Sequence, residues 1–90
     1  MSWNIRIRAI NEDGEPKGNV RVNVHFSSHT KLNVIRGGHL SEYTDRDGWA
    51  EFSVENPTRN PLGISTIYID GNKVDGSLRV YDGDTKSYTV

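Results

Sequence analysis

Apolar and polar residues alternate one by one along most of this chain, and no segment shows the three-to-four spacing of a helix. Trp3, Ile5, Ile7 and Ala9 alternate with Asn4, Arg6 and Arg8, the period of two that marks a strand with one buried face. Val20, Val22, Val24 and Phe26 alternate with Arg21, Asn23 and His25 in the cleanest such run. Ala50, Phe52 and Val54 alternate with Trp49, Glu51 and Ser53. Ile64 to Ile69 is apolar on both faces apart from Ser65 and Thr66, the composition of a central strand. Leu78 and Val80 mark a further strand, and Thr85 to Val90 another, with Tyr88 and Val90 on one face.

Between these runs lie turn residues. Asp-Gly pairs stand at Asp13-Gly14, Asp70-Gly71 and Asp82-Gly83, and Asp45-Arg46-Asp47-Gly48 precedes the Trp49 strand. Asp bonds its own backbone two residues on, and Gly accepts a positive φ. A positive φ is therefore expected at Gly48. Glu55 to Pro61 carries two prolines, which forbid helix and discourage pairing, so it is expected as a rigid loop. Residues 27–41 admit two readings: a strand through Leu32, Val34 and Ile35 turned back at Arg36-Gly37-Gly38-His39, or an irregular crossing loop. The pattern predicts one domain, residues 1–90, folded as an all-β sandwich of seven or eight mainly antiparallel strands. Its expected core is Ile5, Ile7, Val22, Val24, Phe26, Ala50, Phe52, Ile67, Ile69, Leu78 and Val80.

Composition refines the picture. A 90-residue chain buries only about 60–65% of its unfolded surface, so the core is thin. The 33% hydrophobic content suits strands that are apolar on one face. The net charge of −1 gives no overall electrostatic footprint for nucleic acid or an anionic membrane. No apolar run approaches the roughly 20 residues that span a bilayer. The N-terminal residues lack the basic-then-apolar pattern of a signal peptide. With no cysteine, disulfides and Cys-based metal or redox sites are excluded.

Three segments carry a family resemblance: Asp13-Gly14-Glu15-Pro16, Gly18-Asn19-Val20-Arg21-Val22-Asn23-Val24, and Thr44-Asp45-Arg46-Asp47-Gly48-Trp49-Ala50-Glu51-Phe52. Their order resembles the transthyretin-like and carboxypeptidase-regulatory-like β-sandwiches, and related bacterial immunoglobulin-like modules. The resemblance implies an accessory, adhesive, carbohydrate-contacting or filament-forming module. The Tyr-Arg-Gly-Ser ending of the transthyretin-like hydrolases is replaced by Ser87-Tyr88-Thr89-Val90, so that activity does not carry over.

Candidate chemistry is sparse. Asp45 and Asp47, with Glu42 or Glu51, offer oxygens to calcium, but six to eight ligands are needed and Arg46 lies between the acids; a structural turn is expected. His25, His29 and His39 match no zinc spacing. Ser27, Ser28 and His29 are adjacent, without a nucleophile elbow. No cofactor and no catalysis are expected. Arg6, Arg8, Arg21 and His25 form a basic stripe if the first two strands pair, which would suit an acidic partner or a protected edge. Trp3, Trp49, Tyr43, Tyr68 and Tyr81 include the material of an aromatic platform, and Trp49, Tyr68 and Tyr81 are the expected binding surface, with Tyr68 beside Trp49. The expected role is a non-catalytic structural or protein-interaction module, self-associating through that face or through an edge strand. The alternative is a polysaccharide-binding module. Neither nucleic acid nor membrane insertion is expected.

Overall fold

A computed structural model describes residues 2–27, 31–32, 35–36, 38–57 and 60–90. Its strands are β1 (Ser2–Ile10), β2 (Arg21–Phe26), β3 (Lys31–Leu32), β4 (Ile35–Arg36), β5 (His39–Tyr43), β6 (Trp49–Glu55), β7 (Leu62–Ile69), β8 (Asn72–Val80) and β9 (Thr85–Thr89). Seven of them build two sheets, ordered β6-β1-β9 and β5-β2-β7-β8, and β3 pairs with β4 alone. The β1–β9 pair is parallel and the others are antiparallel. Neither expectation for residues 27–41 holds among the described residues: Leu32 pairs with Ile35 across β3 and β4, so the two do not share one strand, and β5 pairs with β2. Val34, Gly37, the Ser28-His29 dipeptide, and Thr58 and Arg59 of the expected loop lie outside the described residues.

One core joins the sheets. Trp3, Ile5, Ile7, Ala9, Ala50, Phe52 and Val54 enter it from the three-stranded sheet. Val22, Val24, Phe26, Leu62, Ile64, Ile67, Ile69 and Val80 enter from the other. The expected core residues are all there, with Leu78 partly buried at its margin. The addition of Leu62 and Ile64 has a specific cause. Strict alternation from Ile67 and Ile69 would turn Ile64 outward. The register with β2 instead pairs His25 with Thr66 and Phe26 with Ile64, leaving Ser65 over as a bulge. One extra residue resets the parity of a strand, so isoleucines on both sides of Ser65 point inward. The apparent two-faced run is a one-faced strand with a bulge.

Tight turns hold the strands. Asp70 (φ 52°) and Gly71 (φ 80°) sit between the paired Ile69 and Asn72, the two positive angles of a type I′ hairpin turn. Thr44, buried, ties two connections together: its hydroxyl accepts from the Val20 N–H at 3.0 Å and donates to the Lys17 carbonyl at 2.7 Å. Gly48 then has the expected positive φ, 83°. A Cβ there would lie 2.6 Å from the Ala9 carbonyl oxygen and 3.2 Å from the Pro16 side chain. The turn before β6 is thus pressed against the end of β1, where the Gly48 carbonyl accepts from the Ala9 N–H at 2.8 Å.

At the opposite side, Tyr88 of β9 donates its hydroxyl to Asp75 Oδ2 of β8 at 2.7 Å, a tie between sheets. Burial, then the hydrogen bond to Asp75 and its charge, push the Tyr88 phenol well above its ordinary range. A raised folded-state pKa means the tie contributes fully below about pH 10 and is lost as the phenol ionises at higher pH. Raising the pH from about 9 to 11 is expected to lower the urea midpoint. Tyr88→Phe is expected to show a shallower fall, and parallel pH profiles would refute the linkage. Gly48→Val, combining a disfavoured φ with a backbone clash, is expected to cost at least about 2 kcal/mol, measured by the same urea titration.

Candidate functional site

With the core between the sheets, each sheet turns one face outward, and the candidate residues divide between those faces. On β6-β1-β9, Arg8 pairs with Trp49 and Arg6 with Glu51. Trp49 is partly buried and faces away from the core, as its alternation with Ala50 and Phe52 requires. The guanidinium carbon of Arg6 lies 4.2 Å from the centre of the indole, and that of Arg8 5.4 Å. Each arginine has a second anchor. Arg6 Nε is 3.5 Å from Glu51 Oε1, and Arg8 Nε donates to the Asp47 carbonyl at 3.1 Å. Contacts of this kind contribute about 0.5–1 kcal/mol each at exposed sites. Beside Arg6 runs a shallow groove of about 280 Å³, bordered by Asn4, Glu51, Ser53 and Asp84.

Tyr68 is on the other sheet. It stands opposite Asn23 and Lys73, alternating with the buried Ile67 and Ile69. Its edge meets the His25 ring at 5.3 Å and 72°. His25 in turn stacks on His39 at 5.2 Å and 18°. Trp49 and Tyr68 therefore occupy opposite outer faces of the molecule, and the expected patch with Tyr68 beside Trp49 does not form. Tyr81, 54% exposed, belongs to neither: it opens the turn from β8 to β9, where its N–H donates to Asp84 Oδ2 at 2.8 Å. Trp3 is fully buried. The basic stripe divides as well. It required β1 to pair with β2, whereas β1 lies between β6 and β9, and β2 between β5 and β7.

The acidic turn uses its oxygens internally. Asp45 Oδ1 accepts from the N–H groups of Asp47 and Trp49 at 2.9 and 3.0 Å, and the Asp45 carbonyl accepts from the Gly48 N–H at 2.9 Å. That bonding favours the structural-turn reading over calcium. Among the described residues no group of three acidic, histidine or cysteine side chains is placed to hold a metal ion. The His25–His39 stack was hidden in the sequence because twelve residues separate β2 from β5, and the Gly37-Gly38 pair within them does not say which strand β5 pairs with.

No protein-family model matches the chain, and no curated protein matches it in sequence.

The opposite placement of two neighbouring aromatics gives a direct check. Phe52→Ala is expected to cost about 3–5 kcal/mol, as a core truncation. Trp49→Ala is expected to cost about 1–2 kcal/mol, the loss of its two arginine contacts. Urea unfolding of dilute protein measures both, and a reversed ranking would mean that β6 is turned the other way.

Proposed function

We propose that this protein is a non-catalytic interaction module that self-associates through the outer face of β6-β1-β9. Trp49 carries the reading: a large indole on an outward sheet face, held by two arginines. Tryptophan and arginine dominate the energetic centres of protein interfaces, because each offers a large contact surface and a polar handle. The surrounding charges suit a second copy. Arg8 lies beside Trp49 toward one end of the face, Glu55 stands opposite Ser2 at the other, and the Arg6–Glu51 pair lies between. Rotating a second face end for end brings the Arg8 end against the Glu55 end, the self-complementarity a two-fold interface requires.

Two further observations support a non-catalytic role. The hydroxyl of Thr44, the buried polar side chain among the described residues, is taken up by two backbone bonds. The perturbed phenol of Tyr88 is held by Asp75. Neither is available as a reacting group.

The sandwich type that accompanies this reading is transthyretin-like. The segments carrying the resemblance meet where Gly48 packs on Pro16 and Lys17. The strand order departs from the immunoglobulin constant type, which joins the first, second, fifth and fourth strands in one sheet. Among the seven main strands here, the first lies between the fourth and the seventh.

Sedimentation across a concentration series tests the function. The wild type is expected to exceed the monomer mass, and Trp49→Glu to return it to a monomer that still melts cooperatively, at a midpoint lowered by no more than the loss of the two arginine contacts accounts for. A wild type that stays monomeric at every concentration overturns the proposal.

A further inference from the structure

We propose that the other outer face, that of β5-β2-β7-β8, is a binding site for an acidic polysaccharide, a chain of sugars bearing carboxylates or sulfates. Residues directly opposite one another in a ladder share a face, so the registers state what this face carries. Arg21 is opposite Tyr43, Lys73 opposite Tyr68, and Arg79 opposite Gly63. His25 is opposite both His39 and Thr66. No carboxylate joins them. Glu42 is opposite Val22 and Asp75 opposite Ile67, both partners being core residues, and Asp75 is engaged by Tyr88. Asp70 belongs to the hairpin turn.

The sequence shows the same separation independently. The chain has 12 acids, yet none stands between Glu15 and Glu42, the stretch that supplies β2. Near-neutrality is thus reached by segregating charge. Acids gather in the turns and on the Trp49 face, and Arg21, Lys73 and Arg79 have no carboxylate within ion-pair distance among the described residues.

Arg21 is also positioned in advance. Its Nη2 donates to Ser41 Oγ at 3.3 Å, and the Ser41 hydroxyl donates to Asn23 Oδ1. This arrangement fixes one edge of the guanidinium without neutralising it and leaves its remaining N–H groups for an anion. The ligand class follows from the mixture. Three separated cations call for an anionic polymer. The neutral groups between them are the Asn23 amide, the Thr66 hydroxyl and the tyrosine hydroxyls, which pair with sugar hydroxyls. Tyr43, 63% exposed, presents a ring for a sugar to stack on. A single-stranded nucleic acid is the competing polyanion, bound through phosphate contacts and base stacking, and the oligothymidylate in the test below separates it from a polysaccharide.

The test is affinity electrophoresis and calorimetry of the whole chain with polygalacturonate, beside neutral dextran and an oligothymidylate of similar length. Polygalacturonate is expected to bind, dextran not, and the affinity to fall as salt is raised. Arg21→Gln and Arg79→Gln are each expected to weaken binding about tenfold. Arg46→Gln, which removes the same charge from the turn before β6, is expected to change it less than twofold. If Arg21→Gln disturbs the fold, as thermal melting would show, Arg79→Gln on the edge strand carries the comparison. Absence of polygalacturonate binding overturns the proposal. So does equal weakening by Arg46→Gln, which would reveal unspecific attraction, or tighter binding of the oligothymidylate through the same residues.

Discussion

The indole of Trp3 is the contact on which the two-sheet arrangement rests. Its Nε1 donates to the Val80 carbonyl across the core at 2.9 Å, and its ring meets Phe26 edge to face at 5.9 Å. Both partners belong to the opposite sheet. In so thin a core the largest buried side chain fills the junction, and its single polar group is satisfied there; left unpaired it would cost about 1–3 kcal/mol. Its neighbours turn this contact into a corner. Beyond Val80 the chain leaves one sheet for the other, and Asn4 receives it: its N–H donates to Asp82 Oδ1 at 2.8 Å and its carbonyl accepts from Gly83 at 2.8 Å. Arg6 N–H then bonds the Asp84 carbonyl, and β9 begins alongside. Trp3 and Asn4 thus fix where and in which direction the last strand joins.

How far the sequence could be read follows from the range of the forces involved. Alternation is local, and it correctly placed Ile5, Val24 and Phe52 inward and Trp49 outward. Turn chemistry is also local, and Asp70-Gly71 and Gly48 behave as their residue types require. The bulge at Ser65 escaped, because one extra residue is seen only against the partner strand, and Ile64 was left out of the expected core as a result. Strand order is a property of pairing between distant segments. Without it Arg6 and Arg21 looked like neighbours, and Trp49 and Tyr68 looked like one patch. The charge asymmetry was present in the sequence throughout, in the gap between Glu15 and Glu42, but a net charge averages it away.

The two outer faces are chemically distinct because the core makes no demand on them. Inward positions are set by packing, and outward positions of the same strands are free to differ. On one side an indole lies among charges of both signs. On the other, rings and cations stand without acids. Such surfaces are independent of the fold that displays them, so the same architecture can present two unrelated contacts without either disturbing the other.

The central position of β1 also bears on how the protein is made. Asn4 finds Ser53 49 residues later and Asp82 78 residues later. Contacts of such long separation slow folding, because loop entropy is lost before they form. During synthesis, at about 5–20 residues per second, β1 is exposed with its apolar face bare and both hydrogen-bonding edges open until β6 arrives, and one edge stays open until β9 follows. Arg6 and Arg8, regularly spaced along that waiting strand, keep its polar face charged through this interval and so discourage two nascent chains from pairing there.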